Sequence, residues 1–216
     1  MNINSENVCE RFLIFDPATL YEAAGLRGMV DPSIRPAWPG ARICGVAATV
    51  ECPPGDNLML HQAVAAAEPG EVIVAKTGGY LLTGAWGEVL TVAAQARGIA
   101  GLAIDGSVRD IEAIAEHGFP VFSRGLAIGA CTKQRPGTWN APIQFGGVLV
   151  RPGDIVFGNA DGLVILEQER LEQIYAAAVK RLQREAEIME QLRHGKTTLE
   201  LLGLPNLLKQ GAAVAE

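Results

Sequence analysis

Histidine is scarce in this chain. His61, His117 and His194 are the only three among 216 residues. His61 falls in a predicted helix. His117 and His194 fall at predicted helix C-termini, where an imidazolium meets the negative end of the helix dipole. No histidine cluster is available, which disfavours a histidine-built zinc or iron centre. Any metal is expected to be a hard one, Mg²⁺ or Mn²⁺, held by carboxylate and water. The four cysteines, Cys9, Cys44, Cys52 and Cys131, form no C-x-x-C pair and have no histidine at zinc spacing. They read as buried free thiols of a reducing compartment. No apolar run approaches the ~18 residues of a membrane span. The opening MNINSENVCERF lacks the apolar core of a signal peptide. The expectation is a cytoplasmic protein with no membrane partner.

Basic runs are also missing. The net charge is −6, and Lys180, Arg181 and Arg184 alternate with Glu185, Glu187 and Glu190 along one predicted helix. That is a solvated helix face, and it argues against nucleic acid as a partner. Gly78-Gly79 followed by Gly84 matches neither a P-loop nor a G-x-G-x-x-G loop, which disfavours nucleotides. Ser107 stands in no G-x-S-x-G elbow.

What is present is an alternation. Asp16-Pro17 starts a short helix ending at Gly25, after a poorly defined lead over 1–15. The proline-rich and glycine-rich stretch 28–42 reads as an ordered loop. Ile43–Glu51 has strand composition. Pro53–Asn57 is a turn in which Asp56 caps a helix running to Ala67, and the strand Glu71–Lys76 follows. A helix from about Gly84 uses Val89, Leu90, Val92, Ala93 and Ala96, and Gly98 ends it. Ile99–Ile104 is the size of a buried strand. Another helix then opens at Ser107, and Val121–Ser123 is a further strand. This order means βαβ units and a parallel sheet. Beyond residue 126, Gly147–Val150, Asp154–Phe157 and Leu163–Leu166 suggest an antiparallel meander. From Glu167 to Arg193 runs one long helix with apolar Leu171, Ile174, Ala178 and Leu182. It packs either on its own sheet or on a neighbouring subunit. The division is a single domain over 1–166 and a helical extension over 167–216.

The most informative stretch is GAWGEVLTVAAQARGIAGLAIDGSVRD, residues 84–110. It places Arg109 and Asp110 just past the carboxyl end of a buried strand, the edge where open α/β sheets bind ligands. One reading is structural: Ser107 and Asp110 form a capping box, with Asp110 favoured by the dipole. The other is chemical. A cation in a first helical turn opposes the dipole, so Arg109 suggests an anionic partner. At the start of the preceding helix the free N–H groups suit a carboxylate. There Gly87 allows close approach and Glu88 adds an acid. Glu88 too has a plain reading as a first-turn dipole residue. Together these groups suit an α-keto acid, with its carboxylate on the N–H groups, its keto oxygen on a metal and Arg109 beside developing enolate charge.

The sequence resembles the class II pyruvate aldolases that cleave 4-hydroxy-4-methyl-2-oxoglutarate and 4-carboxy-4-hydroxy-2-oxoadipate. These share a fold with the regulator of ribonuclease activity A. The segments that carry the resemblance are IRPAWPGARICGVAATV, PPGDN, residues 84–110, GFPVFSRG and RPGDIVFGNADGLVIL, within residues 17–166. Its most specific part is the G-[DE]-x-L…G-x-x-R-D pairing. The resemblance implies a swivelling β/β/α three-layer α/β domain, assembled as a homotrimer or homohexamer with sites between subunits. It implies a metal-dependent lyase that releases pyruvate from a 4-hydroxy-2-oxo acid through a metal-bound enolate, with oxaloacetate decarboxylase activity through the same enolate. By position, Gly87, Glu88, Val89 and Leu90 would bind the substrate carboxylate and Arg109 the keto oxygen. Asp110 would be the direct metal ligand, and Glu88 would hold metal-bound water where the aldolases usually carry aspartate. NADG at 159–162 departs from the family's usual run of acids. A neighbour's Glu185 or Glu187 would complete the site. The alternatives are a non-catalytic regulator of an RNA-processing enzyme and a methyltransferase. Asp110 argues against the first, since the regulators carry glutamine there. The lack of a glycine-rich cofactor loop argues against the second.

Overall fold

The structure is a computed structural model that describes residues 5–205. In chain order the helices are α1 (Ser5–Phe12), α2 (Pro17–Ala23), α3 (Leu58–Ala66), α4 (Glu88–Ala96), α5 (Ile111–Glu116), α6 (Leu171–Arg193) and α7 (Thr198–Leu201). The strands are β1 (Arg35–Pro36), β2 (Ile43–Glu51), β3 (Glu71–Lys76), β4 (Gly84–Trp86), β5 (Gly101–Ile104), β6 (Ser107–Val108), β7 (Val121–Ser123) and β8 (Gly125–Leu126). They continue as β9 (Thr138–Trp139), β10 (Ile143–Phe145), β11 (Val148–Val150), β12 (Ile155–Asn159) and β13 (Gly162–Leu166).

The main sheet runs β1-β7-β5-β3-β2-β12-β13, with β9 added to the end of β2. Strands β2, β3, β5 and β7 are parallel. Strands β1 and β12 join antiparallel, and β13 folds back on β12 as a hairpin. The two edges approach each other, and Arg35 donates to the Asp161 carbonyl at 3.1 Å across the gap, so the sheet is nearly closed. The alternation of strand side chains builds two cores. Val72 and Val74 face an inner core with Ile34, Phe122, Phe145 and Ile165. Ile73 and Ala75 face an outer core with Leu60, Val64, Trp86, Leu90, Ala94 and Ile114, supplied partly by α3, α4 and α5. Burial on both faces explains why β3 and β5 read as unbroken apolar runs. A third core joins Phe12, Phe15 and Leu20 to Leu171, Ile174 and Ala178.

A small parallel sheet, β4-β6-β8, positions the site. Each parallel strand β3, β5 and β7 leads at its carboxyl end into one strand of this second sheet. The corner is tied by Asp105, whose Oδ1 accepts from the Thr77 hydroxyl at 2.9 Å and from the Thr77 amide. Ser107 Oγ donates to the Leu81 carbonyl at 3.2 Å.

Several sequence expectations change here. Gly84 does not start a helix. It starts β4, and α4 begins at Glu88 after Gly87. Ser107 likewise lies in β6, so Ser107 and Asp110 make no capping box, and Asp110 gives α5 no side-chain cap. The buried face of α4 is Leu90, Thr91 and Ala94, whereas Val89 is 78% and Val92 46% exposed. The lead contains α1. Residues 1–4 of the lead lie outside the described residues, as does the end of the expected 167–216 extension. The loop 28–42 contributes β1, and β10 pairs with β11 through a Gly146-Gly147 turn with φ of 53° and 83°. In α6, Leu171, Ile174 and Ala178 pack on this chain's own α1 and α2 region, but Leu182 is 39% exposed. Cys9 and Cys44 are not free thiols: α1 packs on β2 and the two form a disulfide with Cα atoms 5.7 Å apart. Cys52 and Cys131 remain free. A disulfide belongs to oxidising surroundings, so the cysteines no longer argue for a reducing compartment. Among the described residues no helix is long and apolar enough to cross a membrane.

Candidate functional site

Pairing of β4 with β6 brings the two informative segments side by side. Gly84 lies opposite Ser107 and Trp86 opposite Val108, with a register shift between them. The Arg109 amide donates to the Trp86 carbonyl at 2.8 Å, extending the pairing by one residue. Arg109 and Asp110 therefore stand against Gly87 and the first turn of α4. Two glycines make room for them. A Cβ on Gly84 would meet Arg109 Cβ at 2.7 Å, and a Cβ on Gly87 would collide with Asp110 Oδ2 and lie 3.2 Å from Arg109 Nε.

Asp110 has φ 57°, a left-handed backbone that aspartate and asparagine accept more readily than most residues. That turn points its carboxylate away from α5. Oδ2 accepts the Glu88 N–H at 3.1 Å and lies 3.6 Å from Arg109 Nε. Asp110 thus satisfies the first free amide of α4 instead of capping its own helix. The Glu88 N–H is then occupied, which leaves the Val89 and Leu90 amides, with no acceptor inside the helix, for a bound carboxylate. The Glu88 carboxylate turns sideways to His117, with Oε1 3.3 Å from Nε2. Arg109 and Asp110 side chains are 44% and 43% exposed, so both are open to a ligand.

These groups line a cavity of about 270 Å³ with Gly84, Gly87, Val89 and Leu90. Asn57 and His61 of the α3 turn, and Cys131 and Lys133 of the 127–137 loop, line it too. Sequence reasoning named Asp56 a cap and gave Asn57, His61, Cys131 and Lys133 no role. Asp56 does accept from the Leu58 amide, at 3.0 Å, but its other oxygen accepts from Thr132 Oγ1 at 2.6 Å and from the Gln134 and Arg135 amides at 2.8 and 3.1 Å. Burial alone would raise the Asp56 carboxyl. The Thr132 hydroxyl and these amides outweigh it and hold Asp56 below the usual carboxylate range. Asp56 thereby pins the loop carrying Cys131 and Lys133 over the cavity. The available signal was PPGDN itself, whose adjacent Asp and Asn pin the loop and line the cavity, respectively.

Gly87→Ala tests the close packing. The methyl would push on the ends of two flexible side chains, so the fold is expected to survive. Thermal unfolding of the variant beside the wild type checks this, and a large loss of stability would show that the two side chains cannot give way.

The fold and cavity define a mixed α/β protein whose site opens at the carboxyl ends of parallel strands, with an acid and a guanidinium on one wall and open amides beside them. The chain belongs to the RraA-like family, described as Aldolase/RraA, whose model matches residues 6–165. A relative from Halalkalibacterium halodurans, named "Putative 4-hydroxy-4-methyl-2-oxoglutarate aldolase", is 38% identical over 149 residues, 69% of this chain and 71% of that protein. A Burkholderia mallei protein of the same name is 31% identical, covering 69% of this chain and 90% of its own length. Among solved structures, an uncharacterized protein from Pseudomonas syringae pv. tomato superposes with TM-score 0.79 at 28% identity, covering 89% of this chain and 95% of its own. The RNA-processing inhibitor RraA from Thermus thermophilis superposes at 0.60 with 23% identity, covering 77% and 93%, a likeness of fold alone. The family is thus described by both names, aldolase and RraA, and relatives of this chain are named as putative aldolases.

Proposed function

We propose that the protein is a divalent-metal-dependent aldolase that cleaves a 4-hydroxy-2-oxo acid to pyruvate and a second carbonyl product. One observation carries the reading: Arg109, Asp110 and the open first turn of α4 share one cavity. The relatives named as aldolases support it. The RNA-processing regulator shares the family model and the fold, but it offers no use for a carboxylate beside a guanidinium at this place.

The donor set fits a hard cation. Among the described residues no three His, Cys, Asp or Glu side chains gather as a cage. Mg²⁺ needs none, because it is commonly held by one or two carboxylates and several waters. Asp110 would hold such an ion directly, and Glu88 would hold it through water after turning from His117. The ion would supply a Lewis acid that draws charge from the substrate's keto oxygen. The Val89 and Leu90 amides bind the substrate carboxylate and fix the pyruvyl unit. Arg109 faces the keto oxygen and stabilises the negative charge that grows there as the C3–C4 bond breaks. Oxaloacetate loses CO₂ through the same enolate, so decarboxylation is an expected second activity. The test is pyruvate release from a panel of 4-hydroxy-2-oxo acids with and without Mg²⁺. Metal-stimulated release from at least one is expected, and none from any would refute the reading.

The surroundings of the site favour an oligomer. Leu82, Val89, Leu126 and Ile128 are 73%, 78%, 57% and 95% exposed. Leu126 and Ile128 line a hollow that shares Arg109 and Asp110 with the site. Exposed apolar surface of this kind marks an interaction face. A homotrimer or homohexamer that brings another copy against this face is expected, with Glu185 or Glu187 of a neighbour as candidate acids. Light scattering at micromolar concentration should give such a mass. A monomer that is fully active would remove the shared site.

A further inference from the structure

The cavity that holds Arg109 and Asp110 is also lined by two residues that each carry a buried polar atom with no partner. Asn57 is 7% exposed. Its Nδ2 donates to the Ala85 carbonyl at 2.8 Å, which fixes the amide and leaves Oδ1 as a buried acceptor with nothing to accept. One helical turn on, His61 Nε2 is buried and equally unpartnered. Residues four apart share a helix face, and both side chains line the cavity. Buried polar atoms without partners are uncommon and costly. Two of them in residues lining a cavity that also holds an acid and a guanidinium suit a ligand that presents a hydroxyl.

We propose that His61 takes the proton of the substrate's C4 hydroxyl in the cleavage reaction, with Asn57 Oδ1 steering that hydroxyl toward Nε2. This rests on the aldolase reading above. The O–H bond breaks and an N–H bond forms on Nε2. The oxygen lone pair closes the new carbonyl at C4, and the C3–C4 bonding pair becomes the pyruvate enolate beside Arg109. The imidazolium then returns its proton to C3, giving the methyl group of pyruvate and neutral His61. No co-reactant is needed.

The setting suits the role. Burial, and next the charge of Lys133, push the His61 imidazolium below the ordinary histidine value, so the ring is neutral at pH 7 and can accept a proton. The ionisable groups lining the cavity with it are Lys133 and Cys131 from the loop and Arg109 and Asp110 from the β6–α5 corner. Decarboxylation of oxaloacetate has no hydroxyl proton to remove. The two activities therefore separate His61 from the groups they share.

The experiment compares wild type and His61→Gln on oxaloacetate and on a 4-hydroxy-2-oxo acid that the wild type cleaves, at saturating Mg²⁺, with pH profiles of both reactions. The ratio of cleavage to decarboxylation is expected to fall ~10²-fold or more in the variant. In the wild type, kcat/KM for cleavage should fall at acid pH with an apparent pKa below the ordinary histidine value, on a limb absent from decarboxylation. An unchanged ratio, or one acid limb common to both reactions, overturns the role of His61 while the aldolase reading stands. A wild type that cleaves no member of the panel overturns both. The wild-type profiles decide even where the variant folds poorly.

Discussion

Arg109→Lys is expected to lower kcat for aldol cleavage and for oxaloacetate decarboxylation together, by ~10²-fold or more, with a smaller change in KM. Both reactions pass through pyruvate enolate, and the charge on the keto oxygen is largest as that enolate forms. A fixed guanidinium there is worth more in the transition state than in the ground state. The structure explains why it is fixed. The Arg109 amide is tied to the Trp86 carbonyl, its stem lies over Gly84 and Gly87, and Nε is 3.6 Å from Asp110 Oδ2. Lysine keeps the cation and loses the planar fork, so it cannot hold both the carboxylate and the substrate oxygen. Steady-state kinetics on both substrates at saturating Mg²⁺ decide the matter. A rise in KM at constant kcat would show a residue that only holds substrate. Loss of one activity alone would break the shared enolate.

Asp110→Asn should abolish metal-dependent turnover in a protein that stays folded. This is a cleaner test than Asp110→Ala, and the backbone says why. Asparagine accepts the left-handed φ of 57° and still offers an oxygen to the Glu88 amide. Alanine has neither property, and a left-handed backbone costs an ordinary L-residue roughly 1–2 kcal/mol. Asp110→Ala should therefore be inactive and also less stable, whereas Asp110→Asn should be inactive near wild-type stability. Pyruvate release, Mg²⁺ titration and thermal unfolding on both variants provide the check. Near-normal turnover by Asp110→Asn would remove the metal role. A stability loss in Asp110→Asn matching that of Asp110→Ala would show that the carboxylate serves the fold.

Strand and helix periodicity was legible wherever burial is one-sided or complete. Ile43–Glu51, Glu71–Lys76 and Val121–Ser123 match β2, β3 and β7 end for end. The stop at Gly98 and the N1 proline at Pro17 are local backbone chemistry, and they hold. Reading failed where structure is made by long-range pairing. The two-residue strands β6 and β8 and the three-residue β4 carry no period of their own. They exist because parallel strands of the main sheet deliver them side by side, so Gly84 and Ser107 looked like helix starts. The helix face of α4 was misjudged for a related reason, since Val89 faces the site mouth and Thr91 is buried with its hydroxyl accepting from Trp86 Nε1 at 2.8 Å.

By itself, the sequence determined the alternating α/β order and the adjacency of an acid and a cation past a buried strand. These are properties of neighbouring residues. Only the tertiary structure decided that Asp110 serves α4 rather than α5, that Glu88 turns to His117, that Cys9 meets Cys44, and that Asn57 and His61 line one cavity with Arg109. Each of these depends on segments far apart in the chain being brought together by sheet pairing or by helices packed on the sheet, and no local pattern records which side chain then meets which.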